Sequence, residues 1–301
     1  MQRLKPMADY IKKDRRDRYD RIYLKDMDAM HVLMPYQMPK RCDNEAVLNE
    51  TIDITALNEY LAKKNAGDPD FKYTWFHVIT AALAKVLILR PKMNWFISGY
   101  RMYAHRDIEI SFNVKRKFED TSEEAMAKFV ADPDGGSLVE QVHSYVRDFV
   151  TAVRRGGYTE GTTDKMNVLK KLPRFLLKFF FWALRRLEYH GRYPKFLAKD
   201  DPMNCSIYIS NLGSIKMSAN YHHLFETGTV SFFTIIGERK LRPIFSENGT
   251  YEMRDTIDLG MTIDERIADG FYFAKSLRLL RHLLQHPELL DEDASTPVDF
   301  S

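Results

Sequence analysis

Hydrophobic and polar residues alternate with a period of two over 257–264, near the C-terminal end of the sequence. Such alternation is typical of a β-strand that buries one face and leaves the other in water. Leucines then recur at helical spacing over 277–284, and Pro287 ends that run. The pattern therefore predicts a strand, a tight corner over 264–270 and a helix, with Gly270 free to take a positive φ at the corner.

The same periodicities predict further elements upstream. An amphipathic helix covers 75–89, and the clearest strand covers 108–115 with its even-numbered residues pointing inward. The charge-dense segment 1–30 is predicted to be a solvated helix or loop, because its charges alternate in sign. The remaining predictions are a strand over 50–54, a helix that opens at Thr55, helices over 122–130 and 137–153, an exposed linker over 154–161, and strands over 205–211 and 230–236.

The segment 170–193 differs from the rest of the chain because it is both basic and strongly aromatic. Four phenylalanines and Trp182 share it with Lys171, Lys178 and Arg185. An aromatic stripe at helical spacing most often docks on the protein's own core. A basic amphipathic helix also suits a membrane surface, an oily substrate channel or a partner protein. Docking on the core is the expected role, and peripheral membrane contact is the alternative.

Composition narrows the class of protein. Hydrophobic residues make up 45% of the chain and charged residues 29%, as in ordinary globular proteins. A net charge of +3 is too small to indicate a nucleic-acid partner. Cys42 and Cys205 lack the spacing of a metal or redox site and are predicted to stay reduced in a cytoplasmic protein. The longest apolar run, 175–187, is interrupted by three cations, so neither a signal peptide nor a membrane span is predicted.

Acidic side chains and an arginine crowd the predicted corner. On spacing alone, a solvated turn with an arginine–carboxylate ion pair accounts for them. The corner also resembles a known motif, since Asp264, Arg266, Asp269 and Gly270 match the pattern Asp-His-Arg-x-x-Asp-Gly. That motif belongs to the CoA-dependent acyltransferases, a family that includes chloramphenicol acetyltransferase and the catalytic domain of the 2-oxo-acid dehydrogenase acyltransferase component. Glu265 stands at the position of the family's catalytic histidine.

A second segment is similar to the same family. The strand predicted over 205–211 leads into Ser210-Asn211-Leu212-Gly213, which looks like the family's Ser-Asn-Leu-Gly. Asn and Gly mark turns in many proteins, so this match is weak alone and gains strength from its order relative to the corner. The next predicted strand, 230–236, ends at Gly237 as the family's does. The resemblance runs from 34 to 290, interrupted by an insertion over 160–200.

The resemblance implies an α/β fold, a two-layer sandwich in which helices cover a mixed β-sheet. We expect one acyltransferase-like domain over 1–301, in a stand-alone form, because the sequence shows no lipoyl domain with its Ala/Pro-rich linker. The resemblance also implies acyl-CoA as co-substrate, a diffusible small-molecule acceptor, no metal, and a homotrimer whose sites lie between subunits. The insertion 160–200 is then expected to cap or line the acceptor side of the substrate channel.

The resemblance also assigns roles to residues. Glu265 is the candidate base, Ser210 the donor to the oxyanion, and Asp269 the residue that fixes the corner by pairing with an arginine such as Arg266. A free glutamate titrates near ~4.3, so catalysis at neutral pH requires that burial raise this value. His222 and His223 are expected to be surface or core residues and a poor metal chelate, yet either could supply the base instead. The alternative function is a catalytically silent protein that binds acyl-CoA or acts as a scaffold or membrane-surface adaptor.

Overall fold

The computed structural model describes residues 15–115, 124–155, 169–198 and 201–300. Within these ranges the strands are β1 (Arg21–Tyr23), β2 (Glu45–Asp53), β3 (Trp95–Ser98), β4 (Arg101–His105), β5 (Ile108–Lys115), β6 (Glu124–Ala131), β7 (Ile207–Asn211), β8 (Phe232–Phe245) and β9 (Tyr251–Asp264). The helices are α1 (Ala29–Gln37), α2 (Thr55–Lys64), α3 (Trp75–Leu89), α4 (Leu138–Arg154), α5 (Arg174–Tyr189), α6 (Lys195–Ala198) and α7 (Gly270–Gln285).

The strands form two sheets within the described residues. The larger has the order β2-β9-β8-β7-β5-β6, and the smaller has the order β1-β4-β3. In the larger sheet β7 runs parallel to both β5 and β8, while the other neighbours are antiparallel. Helices α2, α3, α4 and α7 pack together on this sheet and enclose the main hydrophobic core. The predicted mixed sheet covered by helices is confirmed.

Helix α3 lies deeper than its sequence predicts. Every residue from His77 to Leu87 is buried, so the expected polar face does not exist. The helix contacts α2, α4, α7 and β5, which together bury its central residues. Lys85 is buried in this helix, and the cost of burying its ammonium group is offset by a hydrogen bond of 2.8 Å that it donates to the carbonyl oxygen of Leu289.

The prediction of a helix over 122–130 is wrong. Residues 116–123, including its expected cap Ser122, lie outside the described residues, and Glu124–Ala131 forms strand β6. This strand pairs antiparallel with β5, from Lys115 opposite Glu124 to Ile108 opposite Ala131. Three alanines in the segment favour a helix by local propensity, but pairing with β5 and burial of alternate residues override that preference.

The second face of β9 is buried, although its alternation predicts a solvated face. All residues from Thr256 to Asp264 are buried. A loop over 217–228 covers this face and comes so close that a Cβ added to Gly260 would lie 2.2 Å from the carbonyl oxygen of Asn220. A Cβ on Gly237 would lie 2.5 Å from the backbone nitrogen of Ala219. Glycine is therefore required at both positions for the loop to lie on the sheet.

The charged N-terminal segment is not wholly solvated. Residues 1–14 lie outside the described residues, but Asp17 and Arg21 are buried, and Arg21–Tyr23 forms strand β1. The Arg21 guanidinium lies 4.8 Å from the ring centroid of Phe96, where a cation–π contact stabilises it. The predicted linker falls mostly on 156–168, outside the described residues. In the described ranges no helix is long and apolar enough to cross a membrane.

Candidate active site

The predicted strand–corner–helix unit is present at the end of β9. The strand ends at Asp264, a 3₁₀ turn covers Glu265–Ile267, and α7 begins at Gly270. Asp269 caps this helix, because its carboxylate accepts a hydrogen bond of 2.8 Å from the backbone nitrogen of Tyr272. Gly270 is the first helical residue and does not take a positive φ, so that expectation is wrong.

A buried ion pair holds the corner. The Arg266 guanidinium donates two hydrogen bonds to the Asp264 carboxylate, at 2.8 and 2.7 Å, and both side chains are inaccessible to solvent. A third hydrogen bond of 2.8 Å joins Arg266 to the carbonyl oxygen of Met38, just beyond α1. The expected solvated pair is therefore a buried one, and the expected partnership of Arg266 with Asp269 is wrong. Asp269 fixes the corner as a helix cap instead.

Arg41 is a site residue that sequence reasoning missed. It is buried, and its Nε lies 3.7 Å from the Asp264 carboxylate. Its remaining nitrogens donate to the carbonyl oxygens of Phe225, Ile97 and Gly228, at 2.6, 3.2 and 3.2 Å. Burial lowers the pKa of Arg41, and the charge of Asp264 opposes that shift. Arg41 thus connects the corner to the loop 217–228. No local sequence pattern distinguishes Arg41 from the many other arginines of this chain.

Glu265 occupies the exposed side of the same turn. Its neighbours Asp264 and Arg266 point inward, and its own side chain is exposed. Among the residues that the structure describes, no hydrogen bond or ion pair involves its carboxylate. The corner therefore presents one carboxylate to solvent on a turn that two buried neighbours hold in place.

Ser210 lies near the C-terminal end of β7, as predicted, and is half-buried. The turn that follows is fixed by close backbone contact, since a Cβ on Gly213 would lie 2.5 Å from the carbonyl oxygen of Gly237. On the same face of the strand, the Tyr208 hydroxyl donates to the side-chain oxygen of Asn113 on β5. Gly213 and Gly237, the two glycines of the resemblance, thus contact each other, and Ser210 precedes Gly213 by three residues.

Strand register separates Ser210 from Glu265. Ser210 lies opposite Ile235, which lies opposite Gly260, five residues before Glu265. Residues are ~3.3 Å apart along a strand and strands are ~4.8 Å apart. Five residues along the strand and, at right angles, two strand spacings therefore place the Cα atoms of Ser210 and Glu265 roughly 19 Å apart. Two side chains that hydrogen-bond one reacting group lie within roughly 7 Å of each other. A single copy of the chain therefore does not bring Ser210 and Glu265 to one substrate.

The histidine pair lies in the loop 217–228. The two rings stack on each other with centroids 4.5 Å apart, so the residues do not point in opposite directions. The His222 ring also lies flat on Phe233, at 4.3 Å, and its Nδ1 is 2.7 Å from the carbonyl oxygen of His223. No hydrogen bond joins either imidazole to Glu265 or Ser210 in the described ranges. Across the described residues, no group of three or more His, Cys, Asp or Glu side chains is arranged to hold a metal ion.

A polar cavity of about 260 Å³ lies behind the corner. Arg41 and Arg266 line it from the corner, and Arg185, Glu188 and Tyr189 line it from the last turn of α5. Burial raises the pKa of Glu188, and the charge of Arg41 opposes that shift. The insertion therefore reaches the corner through the end of α5.

The aromatic residues of α5 do not dock on the core. None of the described side chains of this helix is buried, and Phe175, Phe179 and Trp182 are each at least 60% exposed. The expectation that the aromatic stripe packs inside the protein is therefore wrong for the isolated chain.

Comparison with known proteins agrees with this architecture. Residues 182–291 match the family model 2-oxoacid dehydrogenases acyltransferase (catalytic domain). A probable dihydrolipoamide acetyltransferase from Listeria monocytogenes 4b F2365 superposes with a TM-score of 0.57 at 15% identity, over 92% of this chain and 99% of that one. The chain has the fold of that catalytic domain. No curated protein matches the sequence.

Two further structures share the acyltransferase fold. A chloramphenicol acetyltransferase superposes with a TM-score of 0.50 at 12% identity, over 88% of this chain and 98% of that one. A dihydrolipoamide acetyltransferase from Azotobacter vinelandii superposes with a TM-score of 0.54 at 16% identity, over 89% and 94%. The catalytic mechanism of the latter was investigated at a serine, a histidine and an asparagine, the asparagine four positions after the histidine.

Proposed function

We propose that this protein transfers an acyl group from a CoA thioester to a small-molecule acceptor. The observation that carries the proposal is the position of Glu265, an exposed carboxylate without a partner in the described chain, on a turn held by a buried ion pair. Glu265 precedes Asp269 by four positions, the spacing of the histidine and asparagine studied in the Azotobacter enzyme. Glu265 is the proposed base at that position.

In the proposed reaction, the Glu265 carboxylate accepts the proton of the acceptor's hydroxyl, amine or thiol group. The acceptor then attacks the thioester carbonyl carbon, and the Ser210 hydroxyl donates a hydrogen bond to the oxyanion that forms. Collapse of this tetrahedral intermediate breaks the carbon–sulfur bond, and the thiolate of CoA takes the proton back from Glu265. The acceptor leaves acylated, and Glu265 returns to its ionised form without an external acid or base.

We further propose that the active unit is a homotrimer of one acyltransferase-like domain. The separation of roughly 19 Å between Ser210 and Glu265 supports this, because two chains must meet for both to reach one reacting group. Contact with the next copy would also cover Glu265, and removal of water strengthens a carboxylate as a base.

The second candidate function is a silent protein that binds acyl-CoA. The specific observation in its favour is that the corner lacks the family's histidine, while His222 and His223 stack on each other and His222 stacks on Phe233. In this case the buried ion pair would preserve the fold of the corner without any proton transfer.

Release of free thiol from a panel of acyl-CoAs, with candidate acceptors, separates the two functions. Acyl transfer predicts thiol release that requires an acceptor and falls ~100- to 10,000-fold in Glu265→Gln, with CoA affinity unchanged. Glu247→Gln, an exposed acid in the β8–β9 turn, is the matched control and should keep full activity. CoA binding without thiol release from any acyl-CoA would establish the silent function.

A further inference from the structure

Helix α5 turns one aromatic face away from the protein. Phe175, Phe179 and Trp182 recur at i, i+4 and i+7, so they form one row along the helix, and they are 69, 63 and 60% exposed. The rings of Phe179 and Trp182 stack with centroids 5.7 Å apart. On the opposite side, Leu177, Phe180 and Leu184 are half-buried. The exposed row is thus the most accessible apolar feature of this helix.

The end of α5 is fixed to the body of the protein. The Arg18 guanidinium donates a hydrogen bond of 3.0 Å to the carbonyl oxygen of His190, the residue after the helix. The Tyr189 ring meets the Tyr100 ring edge to face, with centroids 5.9 Å apart, and its backbone touches Gly99. These contacts fix the direction in which the aromatic row points.

Positive charge is concentrated around this row. The described residues 169–198 carry eight lysines and arginines and one carboxylate, Glu188, whereas the whole chain has a net charge of only +3. Lys178 and Arg186 are exposed on the same helix as the aromatic row. Arg185 and Glu188 both line the cavity behind the corner, so neither is counted with the outer face.

We propose that this face of α5 docks the protein on an anionic lipid bilayer. Aromatic side chains favour the boundary between headgroups and acyl chains, and flanking lysines and arginines attract anionic headgroups. A contact with a second copy of this chain fits the face less well, because charged residues are depleted at the centre of protein–protein interfaces. The excess of cations along the segment, beside an exposed aromatic row, is complementary to an anionic bilayer. The proposal concerns binding alone and is independent of acyl transfer.

Co-sedimentation of the full chain with vesicles tests this proposal. Vesicles of phosphatidylcholine and phosphatidylserine should retain the protein, vesicles of phosphatidylcholine alone should retain far less, and added salt should release it. The double variant Phe179→Ser/Trp182→Ser should weaken binding at least tenfold. The matched control is Phe245→Ser/Tyr251→Ser, which removes two equally exposed aromatic residues from the β8–β9 hairpin and should bind as the wild type does.

Tryptophan fluorescence supplies a second readout. Insertion of Trp182 should shift its emission to shorter wavelength when anionic vesicles are added. Trp182→Phe should keep the binding and lose most of the shift, since Trp75 and Trp95 are then the remaining tryptophans.

Three results would overturn the proposal. They are no retention by anionic vesicles at low salt, equal retention of the wild type and the Phe179→Ser/Trp182→Ser variant, and a change in oligomeric state caused by that variant in the absence of lipid. The last result, measured by analytical ultracentrifugation, would assign the face to a second copy of the chain.

Discussion

Asp264 and Arg266 form a bidentate ion pair inside the protein, although only one residue separates them in the sequence. The geometry follows from the turn, because the strand ends at Asp264 and the 3₁₀ turn brings Arg266 back over it. Glu265, between them, is left in solvent. The pair therefore sets the direction of the side chain that we propose as the base.

Loss of one partner of this pair should destabilise the protein strongly. Arg266→Met leaves the Asp264 carboxylate buried with Arg41 at 3.7 Å as its remaining cation. Removal of one partner from a buried ion pair costs about 3–5 kcal/mol, and Arg41 makes no hydrogen bond that replaces the two lost, so the free energy of unfolding in urea should fall by that amount.

Arg281→Met is the matched control. Arg281 pairs with Glu50 with the same bidentate geometry, at 2.7 and 2.9 Å, but its side chain is 48% exposed. An exposed pair contributes about 0–1 kcal/mol. Similar losses in the two variants would contradict the conclusion that burial makes the Asp264–Arg266 pair essential.

Mixing two inactive variants should restore activity if Ser210 and Glu265 meet across subunits. Ser210→Ala and Glu265→Gln homotrimers each lack one group at every site. Equal mixing before assembly gives roughly one quarter of the sites both groups, so about a quarter of the wild-type rate of thiol release should return. Mixed trimers that stay as inactive as their parents would place both groups in one chain's site. Sedimentation as a monomer at micromolar concentration would remove the trimer proposal altogether.

Replacement of the proposed base by the family's residue should preserve catalysis. Glu265→His puts an imidazole between Asp264 and Arg266, and an imidazole titrates near the pH at which general bases are most effective. The rate of thiol release should then equal or exceed that of the wild type, while Glu265→Gln is slow. If a histidine of the 217–228 loop is the base, His222→Gln or His223→Gln abolishes release and Glu265→Gln does not.

Stability should depend on the protonation of His77. This residue is buried, its Nδ1 accepts a hydrogen bond of 2.9 Å from the backbone nitrogen of Thr74, and its ring lies 5.3 Å from that of His143. Burial, with a smaller contribution from His143, lowers the pKa of His77 to about 4. Protonation of His77 is therefore unfavourable in the folded state, whereas the unfolded chain accepts this proton near pH 6.5. The contribution of neutral His77 to stability is complete above pH 6.5 and is lost as the pH falls toward about 4.

The variant His77→Gln isolates this effect. Glutamine at the third helical position still accepts from the backbone nitrogen of Thr74, so the capping box is kept while the titrating group is removed. Between pH 6.5 and 4, the wild type should lose roughly 1.4 kcal/mol of unfolding free energy per pH unit more than the variant. Parallel urea-denaturation curves for the two proteins across this range would show that His77 does not carry the dependence. His105, which is not among the groups that shift the pKa of His77, cancels in the comparison.

Most elements that the sequence predicted correctly depend on local signals. The strands at 108–115 and 257–264 show their period of two directly, and Ser137 caps α4 as a serine before a helical run should. The candidate site was predictable to the same extent. Motif spacing located the corner and the serine, because each is a short segment whose order along the chain is enough to identify it.

The sequence by itself determined where β5, β7, β9 and α7 lie, and that Glu265 occupies a corner between a strand and a helix. Tertiary structure decided which partner each segment meets. Pairing with β5 made 124–131 a strand, the loop 217–228 buried the second face of β9, and Arg41 joined the corner from more than 200 residues away in the chain. Strand register separated Ser210 from Glu265. Periodicity and capping are properties of neighbours in sequence, whereas burial and ion pairing depend on groups that only folding brings together.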